Sequence, residues 1–339
     1  MIILKKVILI ILIITYLPIN TFAYNDTAHS SIVVDLDSGR VLYKKNDNQK
    51  KLIASTTKIM TAIITIEKSN RIEKKVKIGK EVLKMYGTNI YVEVGEKMSI
   101  KDLLYGLMLR SGNDASVVLA KEIAGSEKEF VEMMNKKAQE IGMKNTIFRN
   151  PHGLDEKTQN YSTARDMAKL SIYAYKNKLY RKIISTKKYK TSTGKKTYLW
   201  YNKNKLLTNY KYCTGGKNGY TPKAGKTLVT TASKNNMNLT IVTLDDNDAY
   251  HNHNYLYRSM FNKYHKYKII SKNNFNINKQ LYNEKVYIKE SFFYPLSKNE
   301  LSNIQTIVQI DKSIKSKNIG KITIYLSNRN IGSIKIYKQ

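Results

Sequence analysis

Apolar and polar positions change their spacing along this chain, and the spacing predicts where strands and helices lie. Short runs rich in β-branched and aromatic residues occur near both ends of the first 244 residues, and a polar turn joins the two runs at each end. These predicted strands are residues 31–35, 40–43, 227–232 and 238–244. Since they open and close this part of the chain, they can belong to one sheet.

Between these runs, apolar residues recur at helical spacing. From Ala54 to Ile64 the chain is apolar nearly all round, with Ser and Thr as N-cap candidates, which is typical of a buried helix. The other predicted helices are residues 99–125 with a break at 111–114, residues 127–141 closed by Gly142, and residues 162–174. This order predicts an α+β fold, in which helices flank an antiparallel sheet whose first and last strands pair and a helical subdomain is inserted.

A different pattern follows the polar, Asn-rich stretch 272–279. Short alternating runs typical of strands follow it, at residues 285–288, 305–310, 320–326 and 332–337. We therefore predict two folded units, a large α+β domain of residues 24–270 and a small all-β domain of residues 276–339.

The first residues have the pattern of a secretory signal. Lys5 and Lys6 precede an apolar run at 7–14, and Thr21-Phe22-Ala23 supplies small residues where a signal peptidase could cut. We expect a cleaved signal peptide over residues 1–23, with an uncleaved anchor helix as the alternative. Either arrangement would place the rest of the protein outside the cytoplasm, in the cell wall or at the outer face of the membrane.

Composition narrows the possible partners. The 339 residues include 59 Lys and Arg against 26 Asp and Glu, a formal net charge of +33, and these basic residues are spread along the whole chain. For an exported protein we expect no nucleic-acid partner, but a charge-based association with anionic wall polymers or a membrane surface. The single cysteine excludes an intrachain disulfide. His251 and His253 lack further metal ligands nearby, so we predict a polar loop there and neither a metal nor a cofactor.

Ser55 and Lys58 are the first candidates for chemistry. Residues three apart on a helix share a face, so the hydroxyl and the amine would be neighbours. A serine becomes a good nucleophile when a base removes its proton, and a lysine can be that base only when burial or a second cation lowers its pKa. This spacing alone is a weak signal, because it arises by chance in many helices.

Two further short motifs carry polar side chains next to glycines. Ser111-Gly112-Asn113 lies at the break between two predicted helices, where a hydroxyl and an amide could hold a substrate. Gly216-Lys217-Asn218-Gly219 precedes the last strand pair, and on an edge strand it would let a peptide approach and offer a cation to its carboxylate. Taken singly, each motif could be a simple turn.

In this order and separation, the three motifs resemble the active-site motifs of serine penicillin-binding proteins. Longer stretches extend the similarity to the low-molecular-weight penicillin-binding proteins that are serine-type D-alanyl-D-alanine carboxypeptidases (peptidase family S11). The resemblance covers about residues 30–244. The stretches that carry it are Ile53–Ala62, Leu109–Ala115, Phe148–Asp155, Tyr161–Met167 and Asn204–Leu207.

The resemblance implies a β-lactamase/transpeptidase-like domain, and it implies roles for the motif residues. Ser55 would attack the carbonyl between two D-alanines of a peptidoglycan stem peptide, Lys58 would be its base, Ser111 would pass a proton to the leaving amine, and Asn113 would hold a substrate amide. β-Lactams would acylate the same serine as covalent inhibitors.

The same resemblance implies a substrate-binding strand. Lys217 would bind the terminal carboxylate and raise the potential around Lys58, and backbone N–H groups of Ser55 and of the strand near Tyr220 would form the oxyanion hole. Gly219, the last residue of the third motif, would also belong to this substrate-binding strand. Asn218 departs from the family, which usually has threonine there, so we hypothesise an altered preference for substrate or β-lactam.

Four alternatives stay open at this point. A DD-endopeptidase or transpeptidase would use the same residues. A β-lactamase is less well supported, because no Glu-x-x-Leu-Asn segment lies between the second and third motifs. A non-catalytic wall-binding protein would show no covalent reaction at Ser55.

His152 and Asp166, which also lie in the similar stretches, are interpreted as structural supports.

Overall fold

A computed structural model describes residues 25–277, 282, 284–311 and 316–339. The predicted signal peptide, residues 1–23, lies outside these described residues. Within the described ranges, no helix combines the length and the apolar composition that a membrane span requires.

The chain forms strands near both ends of its first 246 residues and again after residue 265. In chain order the strands are β1 Ala28–Asp35, β2 Val41–Lys45, β3 Lys51–Leu52, β4 Lys75–Lys77, β5 Lys97–Ser99, β6 Tyr161–Ser162, β7 Lys188–Ser192, β8 Thr197–Tyr201, β9 Cys213–Thr221, β10 Gly225–Lys234, β11 Met237–Asp246, β12 His265–Ile270, β13 Val286–Tyr287, β14 Phe292–Leu296, β15 Ile304–Ile310, β16 Asn318–Leu326 and β17 Arg329–Lys338.

Helices fill the middle of the chain and follow the last strand of the main sheet. The α-helices are α1 Lys58–Lys68, α2 Ile100–Tyr105, α3 Asn113–Ala124, α4 Glu127–Glu140, α5 Ala164–Tyr175, α6 Lys178–Ser185, α7 Leu206–Asn209 and α8 Ala249–Lys263. Short 3₁₀ segments occupy Ala54–Thr57, Lys80–Lys84 and Lys298–Asn303, and a π-helical turn occupies Gly106–Arg110.

The main sheet is antiparallel and has the strand order β2-β1-β11-β10-β9. The prediction that its first and last strands pair is confirmed, because β1 lies beside β11 with Val33 opposite Ile241. Strand β9, which carries the third motif, is an edge strand. It is therefore free on one side to meet other parts of the structure.

Each face of this sheet carries its own apolar core. The two-residue period of β11 directs Leu239 and Ile241 to one face and Val242 and Leu244 to the other. Helix α1 is buried over its first eight residues and packs in the core that contains Val242 and Leu244. Helix α8 packs against the opposite face. The predicted α+β architecture, with helices inserted between the strands, is confirmed.

The prediction of a polar loop at His251 and His253 is wrong, because both lie within α8. The amide- and tyrosine-rich composition of this helix conceals an apolar stripe that includes Leu256, Tyr257 and Met260. His253 is completely buried, and its two ring nitrogens hydrogen-bond Thr230 Oγ1 at 2.7 Å and Thr243 Oγ1 at 3.1 Å. Burial lowers the pKa of His253 to about 3, so this ring is neutral.

The C-terminal strands form a separate all-β unit, as the alternating pattern predicts. Its four-stranded sheet has the order β13-β17-β16-β15. A further pair joins β12 to β14, so β12, which lies within the predicted 24–270 domain, pairs with a strand of the second unit. The exact division of the chain therefore stays a prediction.

Arg40, at the turn that leads into β2, connects the two units. Its guanidinium donates a hydrogen bond to the Pro295 carbonyl at 2.5 Å and pairs with Glu300. It also lies 5.2 Å from the ring centroid of Tyr264 and 5.3 Å from that of Tyr294. A cation held between two aromatic rings and a carboxylate fixes this contact between the units.

Candidate active site

Ser55 lies in the 3₁₀ turn Ala54–Thr57 that leads into α1. The N-cap position of α1 is Thr57, and no side chain caps this helix end, so the expected N-cap role of these hydroxyls is wrong. Thr56 instead donates to the Ile53 carbonyl at 2.5 Å, and Thr57 accepts from Asn160 at 3.0 Å. With its neighbours engaged elsewhere, Ser55 keeps its hydroxyl available to Lys58.

Lys58 is completely buried and surrounded by acceptors. Its Nζ lies 3.0 Å from Ser55 Oγ, 2.7 Å from Asn113 Oδ1 and 2.6 Å from the carbonyl oxygen of His152. A neutral amine has two N–H donors and one lone pair. It can therefore donate to Asn113 and His152 while its lone pair accepts the Ser55 proton.

The electrostatic surroundings favour that neutral form. Burial is the largest cause that lowers the pKa of Lys58 well below its usual value, and the neighbouring cations Lys217 and Lys203 lower it further. The carboxylate of Asp114 acts in the opposite direction. The net result is a lysine whose neutral form, the form that can act as a base, is favoured.

Asn113 is held in one orientation at the start of α3. Its Oδ1 faces Lys58, its Nδ2 donates to the Tyr86 carbonyl at 2.7 Å, and its backbone N–H donates to the Thr88 carbonyl at 2.8 Å. These bonds also fix the 86–88 segment beside the nucleophile.

Asp114 is a site residue to which the sequence analysis gave no role. Its carboxylate accepts from the backbone N–H groups of Ile90 and Tyr91, at 3.0 and 2.7 Å. It thereby fixes the loop that follows residues 86–88. The signal was present, since an acidic residue directly after the second motif stands in the first turn of a helix, next to backbone donors.

Ser111 ends the π-helical turn in a left-handed conformation, with φ of 71°. It is buried, but no hydrogen bond among the described residues joins its hydroxyl to Ser55, Lys58 or Asn113. Lys58 thus contacts both Ser55 and Asn113, whereas Ser111, the fourth predicted catalytic residue, has no described hydrogen bond to any of them.

Lys217 is buried on the edge strand β9. Its Nζ donates to the carbonyl of Asn218 at 2.6 Å and lies 3.4 Å from the Asn218 side-chain oxygen. Burial lowers the pKa of Lys217 to about 7, and the charge of Lys203 contributes. Asn218, the departure from the usual threonine, therefore points its amide oxygen toward the cation that is expected to bind the substrate.

Gly219 brings β9 directly against the nucleophile. A Cβ atom at this position would lie 2.7 Å from the backbone nitrogen of Ser55, a contact too short for any side chain. Gly153 approaches Ser55 from another segment, where an added Cβ would overlap the Ala54 carbonyl. The two glycines allow two segments of backbone to pass close to Ser55.

Lys203 is a second residue that the sequence analysis did not identify. It is partly buried, and its Nζ lies 3.4 Å from Thr88 Oγ1. Burial lowers the pKa of Lys203, and the nearby charge of Arg110 adds to the effect. Nothing distinguishes this lysine among the many in the sequence, because only the fold brings it near Lys58 and Lys217.

A pocket of about 290 Å³ opens at Ser55 and Asn113. Its walls come from residues 86–88, 153–156 and 220–223, and Tyr220, whose surface is 65% exposed, stands at the rim. The predicted supports lie behind these walls. His152 contributes its carbonyl to Lys58, and Asp166 accepts from the backbone N–H of Asn145 at 2.7 Å.

The sequence of this chain is similar to sequences of known D-alanyl-D-alanine carboxypeptidases. The family model described as D-alanyl-D-alanine carboxypeptidase matches residues 20–248. The chain is 39% identical to D-alanyl-D-alanine carboxypeptidase DacF of Bacillus subtilis over 67% of its own length and 61% of the relative's length. It is 31% identical to a D-alanyl-D-alanine endopeptidase of Escherichia coli, over 64% of this chain and 70% of that protein.

The fold extends the similarity beyond the matched segment. The structure resembles penicillin binding protein 5 from Haemophilus influenzae with a TM-score of 0.77 and 27% identity, covering 93% of this chain and 97% of that one. The likeness therefore includes the C-terminal β unit as well as the domain that contains the pocket.

Proposed function

This chain belongs to the D-alanyl-D-alanine carboxypeptidase family, and from that membership we propose that it removes the terminal D-alanine from peptidoglycan stem peptides through an acyl-enzyme on Ser55. One observation carries the proposal. The buried Nζ of Lys58 lies 3.0 Å from Ser55 Oγ, in surroundings that lower its pKa. A nucleophile with an adjacent neutral base is the arrangement that acyl transfer requires.

In the first half of the reaction, Ser55 Oγ attacks the carbonyl carbon between the two D-alanines and its proton passes to Lys58. The C–N bond breaks, D-alanine leaves, and the remaining peptide is esterified to Ser55. Asn113 holds the substrate amide, and Ser111 gives its proton to the leaving amine and takes the proton that Lys58 accepted. Hydrogen bonds of this kind are often longer without substrate than in the reacting complex.

Charge that develops on the carbonyl oxygen would be stabilised by backbone donors. The proposed oxyanion hole consists of the N–H of Ser55 and an N–H of β9 near Tyr220. The close approach of Gly219 to the Ser55 nitrogen supports this assignment, because it places the free edge of β9 beside that N–H.

Lys217 would bind the terminal carboxylate of the substrate. A carboxylate arriving next to this buried amine favours its protonated form, so binding would restore the positive charge that burial disfavours. Water then hydrolyses the ester and regenerates Ser55. The same geometry accepts β-lactams, which we propose as covalent inhibitors.

A second activity has a specific observation in its favour. The relative from Escherichia coli that is named an endopeptidase shares 31% identity with this chain. An endopeptidase or a transpeptidase needs the same nucleophile, base and carboxylate site and differs in the peptide it accepts. We rank these activities behind the carboxypeptidase, since the relative with the higher identity carries that name.

The expected location follows from the sequence. We propose that residues 1–23 are a cleaved signal peptide, that the α+β domain of residues 24–270 acts outside the cytoplasm, and that residues 276–339 form its C-terminal β companion. The net charge of +33 favours association with anionic wall polymers or with the outer face of the cytoplasmic membrane.

The test measures the intact mass of the mature protein after mixing with benzylpenicillin. We expect one long-lived adduct that maps to Ser55 and is absent in Ser55→Ala. Ser302→Ala, which changes an exposed serine far from the pocket in sequence, is the matched control and should form the adduct normally. Release of D-alanine from a stem pentapeptide then distinguishes the carboxypeptidase from the alternatives.

The other outcomes each select an alternative. Consumption of penicillin without a lasting adduct would indicate a β-lactamase. Neither adduct nor consumption, by a protein that unfolds cooperatively, would indicate a non-catalytic wall-binding protein.

A further inference from the structure

The described part of the chain contains a second concavity that is larger than the pocket at Ser55. It has a volume of about 1070 Å³ and lies between the segment 208–212, the end of β10 and helix α8. We call it the basic groove and define it by Lys211, Tyr212, Lys234, Tyr255 and Arg258. None of the roles proposed above uses these residues.

The charges in this groove are of one sign. Lys211, Lys234 and Arg258 line it, and no carboxylate is among its described lining residues. The ion pairs found between described residues involve none of these three cations. Unpaired lysines are common on a chain with a net charge of +33, but here three cations line one concavity with no carboxylate among its described lining residues.

An aromatic floor holds two of these cations in place. The Nζ atoms of Lys211 and Lys234 lie 4.9 and 5.2 Å from the centroid of the same ring, that of Tyr212. Each cation–π contact is favourable, but together they bring two ammonium groups to one ring and make them repel each other. An anion that contacts both ammonium groups would reduce that repulsion.

The floor itself is rigid. Tyr212 packs edge-on against Tyr210 at 5.6 Å, and Tyr210 stacks on the buried Tyr257 of α8 at 5.5 Å. Packed rings therefore anchor the turn that carries Lys211 and Tyr212 before any ligand binds. Such preorganisation reduces the entropic cost of binding.

We propose that the basic groove binds a flexible phosphodiester polymer of the cell wall, of the poly(glycerol phosphate) type. Each repeat of such a polymer carries a permanent negative charge, which suits three unpaired cations along one concavity. A narrow flexible chain can enter a concave groove, whereas a bilayer presents a broad surface. Single-stranded nucleic acid fits less well, because stacking uses several open aromatic faces. Lys211 and Lys234 both lie against Tyr212, Tyr210 is buried, and among the described lining tyrosines Tyr255 alone is exposed.

The position of the groove connects it with the proposed chemistry. Segment 208–212 runs directly into β9, and from Cys213 to Lys217 this strand covers about 13 Å at the usual rise per residue. A polymer held in the groove would keep the enzyme within the wall, with the pocket at Ser55 a short distance along the same strand. The binding proposal does not depend on the proposed catalysis.

The test uses a fluorescently labelled, soluble glycerol phosphate oligomer and measures its anisotropy with the mature protein at physiological salt. The groove variant is Lys211→Gln/Lys234→Gln/Arg258→Gln. The control variant Lys50→Gln/Lys128→Gln/Lys298→Gln removes the same charge from exposed lysines elsewhere. We expect the groove variant to bind at least about tenfold more weakly and the control less than about twofold, since each basic residue in direct contact contributes on the order of 1 kcal/mol.

Several outcomes would overturn the proposal. Equal losses in the two variants would mean diffuse attraction, and no binding by the wild type at physiological salt would mean no site. A groove variant that loses binding to anionic vesicles or to a labelled oligonucleotide, but not to the polymer, would assign the groove to those ligands.

Folding of each variant is checked separately. Both triple variants should be acylated by benzylpenicillin at the wild-type rate if the serine mechanism holds, and should unfold cooperatively in any case. If the triple variant does not fold, the single variants Arg258→Gln and Arg258→Lys replace it. Weaker polymer binding by Arg258→Gln, with wild-type binding by Arg258→Lys, would support the proposed groove. Equal affinities of these two variants for the polymer would overturn it.

Discussion

The two faces of the main sheet bury polar side chains in opposite ways. On the face covered by α1, Lys58 and Lys217 are fully buried lysines whose pKa values are lowered by burial and by the charge of Lys203. The charge of Lys217 lowers the pKa of Lys58 further. On the face covered by α8, the completely buried His253 is neutral and has a hydrogen-bond partner for each ring nitrogen. One face holds two amines whose pKa values are lowered, that of Lys217 to about 7, while the other face holds a ring that stays neutral.

The difference teaches where reactivity can reside in this fold. A buried polar group with all its partners stabilises and specifies a core, whereas buried amines whose charged forms are disfavoured can take part in proton transfer and in binding an anionic substrate. The pocket opens at Ser55, directly before the helix that covers the first face. The comparison is therefore between a reactive interior and a structural one.

The largest test of this comparison is the variant Lys58→Met, which removes the base and shortens the side chain by one atom. We expect the rate of acylation by benzylpenicillin to fall by about 10²- to 10⁴-fold, the usual contribution of general-base catalysis. The variant should still fold: Asn113 Oδ1 and the His152 carbonyl lose a donor, but the desolvation of the buried amine is removed as well. Stopped-flow acylation and thermal unfolding measure the two effects.

The matching change on the other face is His253→Gln. It should lower the free energy of unfolding by about 1–3 kcal/mol, because one or both threonine hydroxyls lose a partner. Its acylation rate should stay within about twofold of the wild type. If this variant loses acylation as Lys58→Met does while remaining folded, the two faces are not functionally distinct.

A smaller effect is expected at Asn218, where the amide oxygen faces Lys217. Asn218→Thr exchanges this amide for a hydroxyl that can donate to a substrate carboxylate. The ratio of acylation rates for a stem peptide and for benzylpenicillin should change by about three- to tenfold, the worth of one hydrogen bond of ordinary strength. An unchanged ratio, with both rates unchanged, would remove the hypothesis of altered preference.

The smallest expected effect concerns the pH profile. Acylation should rise with pH as Lys58 becomes neutral and should fall above about pH 7 as Lys217 loses the proton with which it binds a carboxylate. Lys203→Gln removes a cation that lowers both pKa values, so both limbs should move to higher pH, by about 0.5 units for a charge at intermediate distance. At a fixed pH on the rising limb, the rate should then be about threefold lower.

The control for the pH profile is Lys205→Gln, which changes an exposed lysine two residues along the chain. It should leave both limbs in place. A Lys203→Gln profile that loses rate at every pH without moving along the axis would contradict an electrostatic role for Lys203.

Parts of the molecule that depend on local pattern could be predicted from the sequence. The strand pairs at 31–43 and 227–244, the helices around residues 100–140 and the Ser55–Lys58 pair all follow from spacing within one segment. Strand β9 was predicted only in part, because the third motif could be an edge strand or a turn, and the structure shows an edge strand.

Other parts depend on contacts between distant segments and could not be predicted in the same way. Lys203 is one of many lysines, and its influence on Lys58 exists only because the fold brings them near each other. Helix α8 was missed because its buried positions include Tyr257 and His253, which read as polar until their partners are known. The left-handed turn at Ser111 likewise follows from packing around a π-helical turn rather than from residue type.

The pairing of β1 with β11 has a consequence for how this protein comes into existence. Ribosomes make the N-terminus first, so β1, Ser55 and Lys58 are synthesised long before the strands that support them. For example, Thr227 donates a hydrogen bond to the Ile53 carbonyl, and the two residues are 174 positions apart in the sequence. Contacts so remote in sequence make folding slow and late. A nascent chain therefore contains a serine without its active surroundings, and the enzyme becomes chemically competent only when nearly all of its first domain has been synthesised.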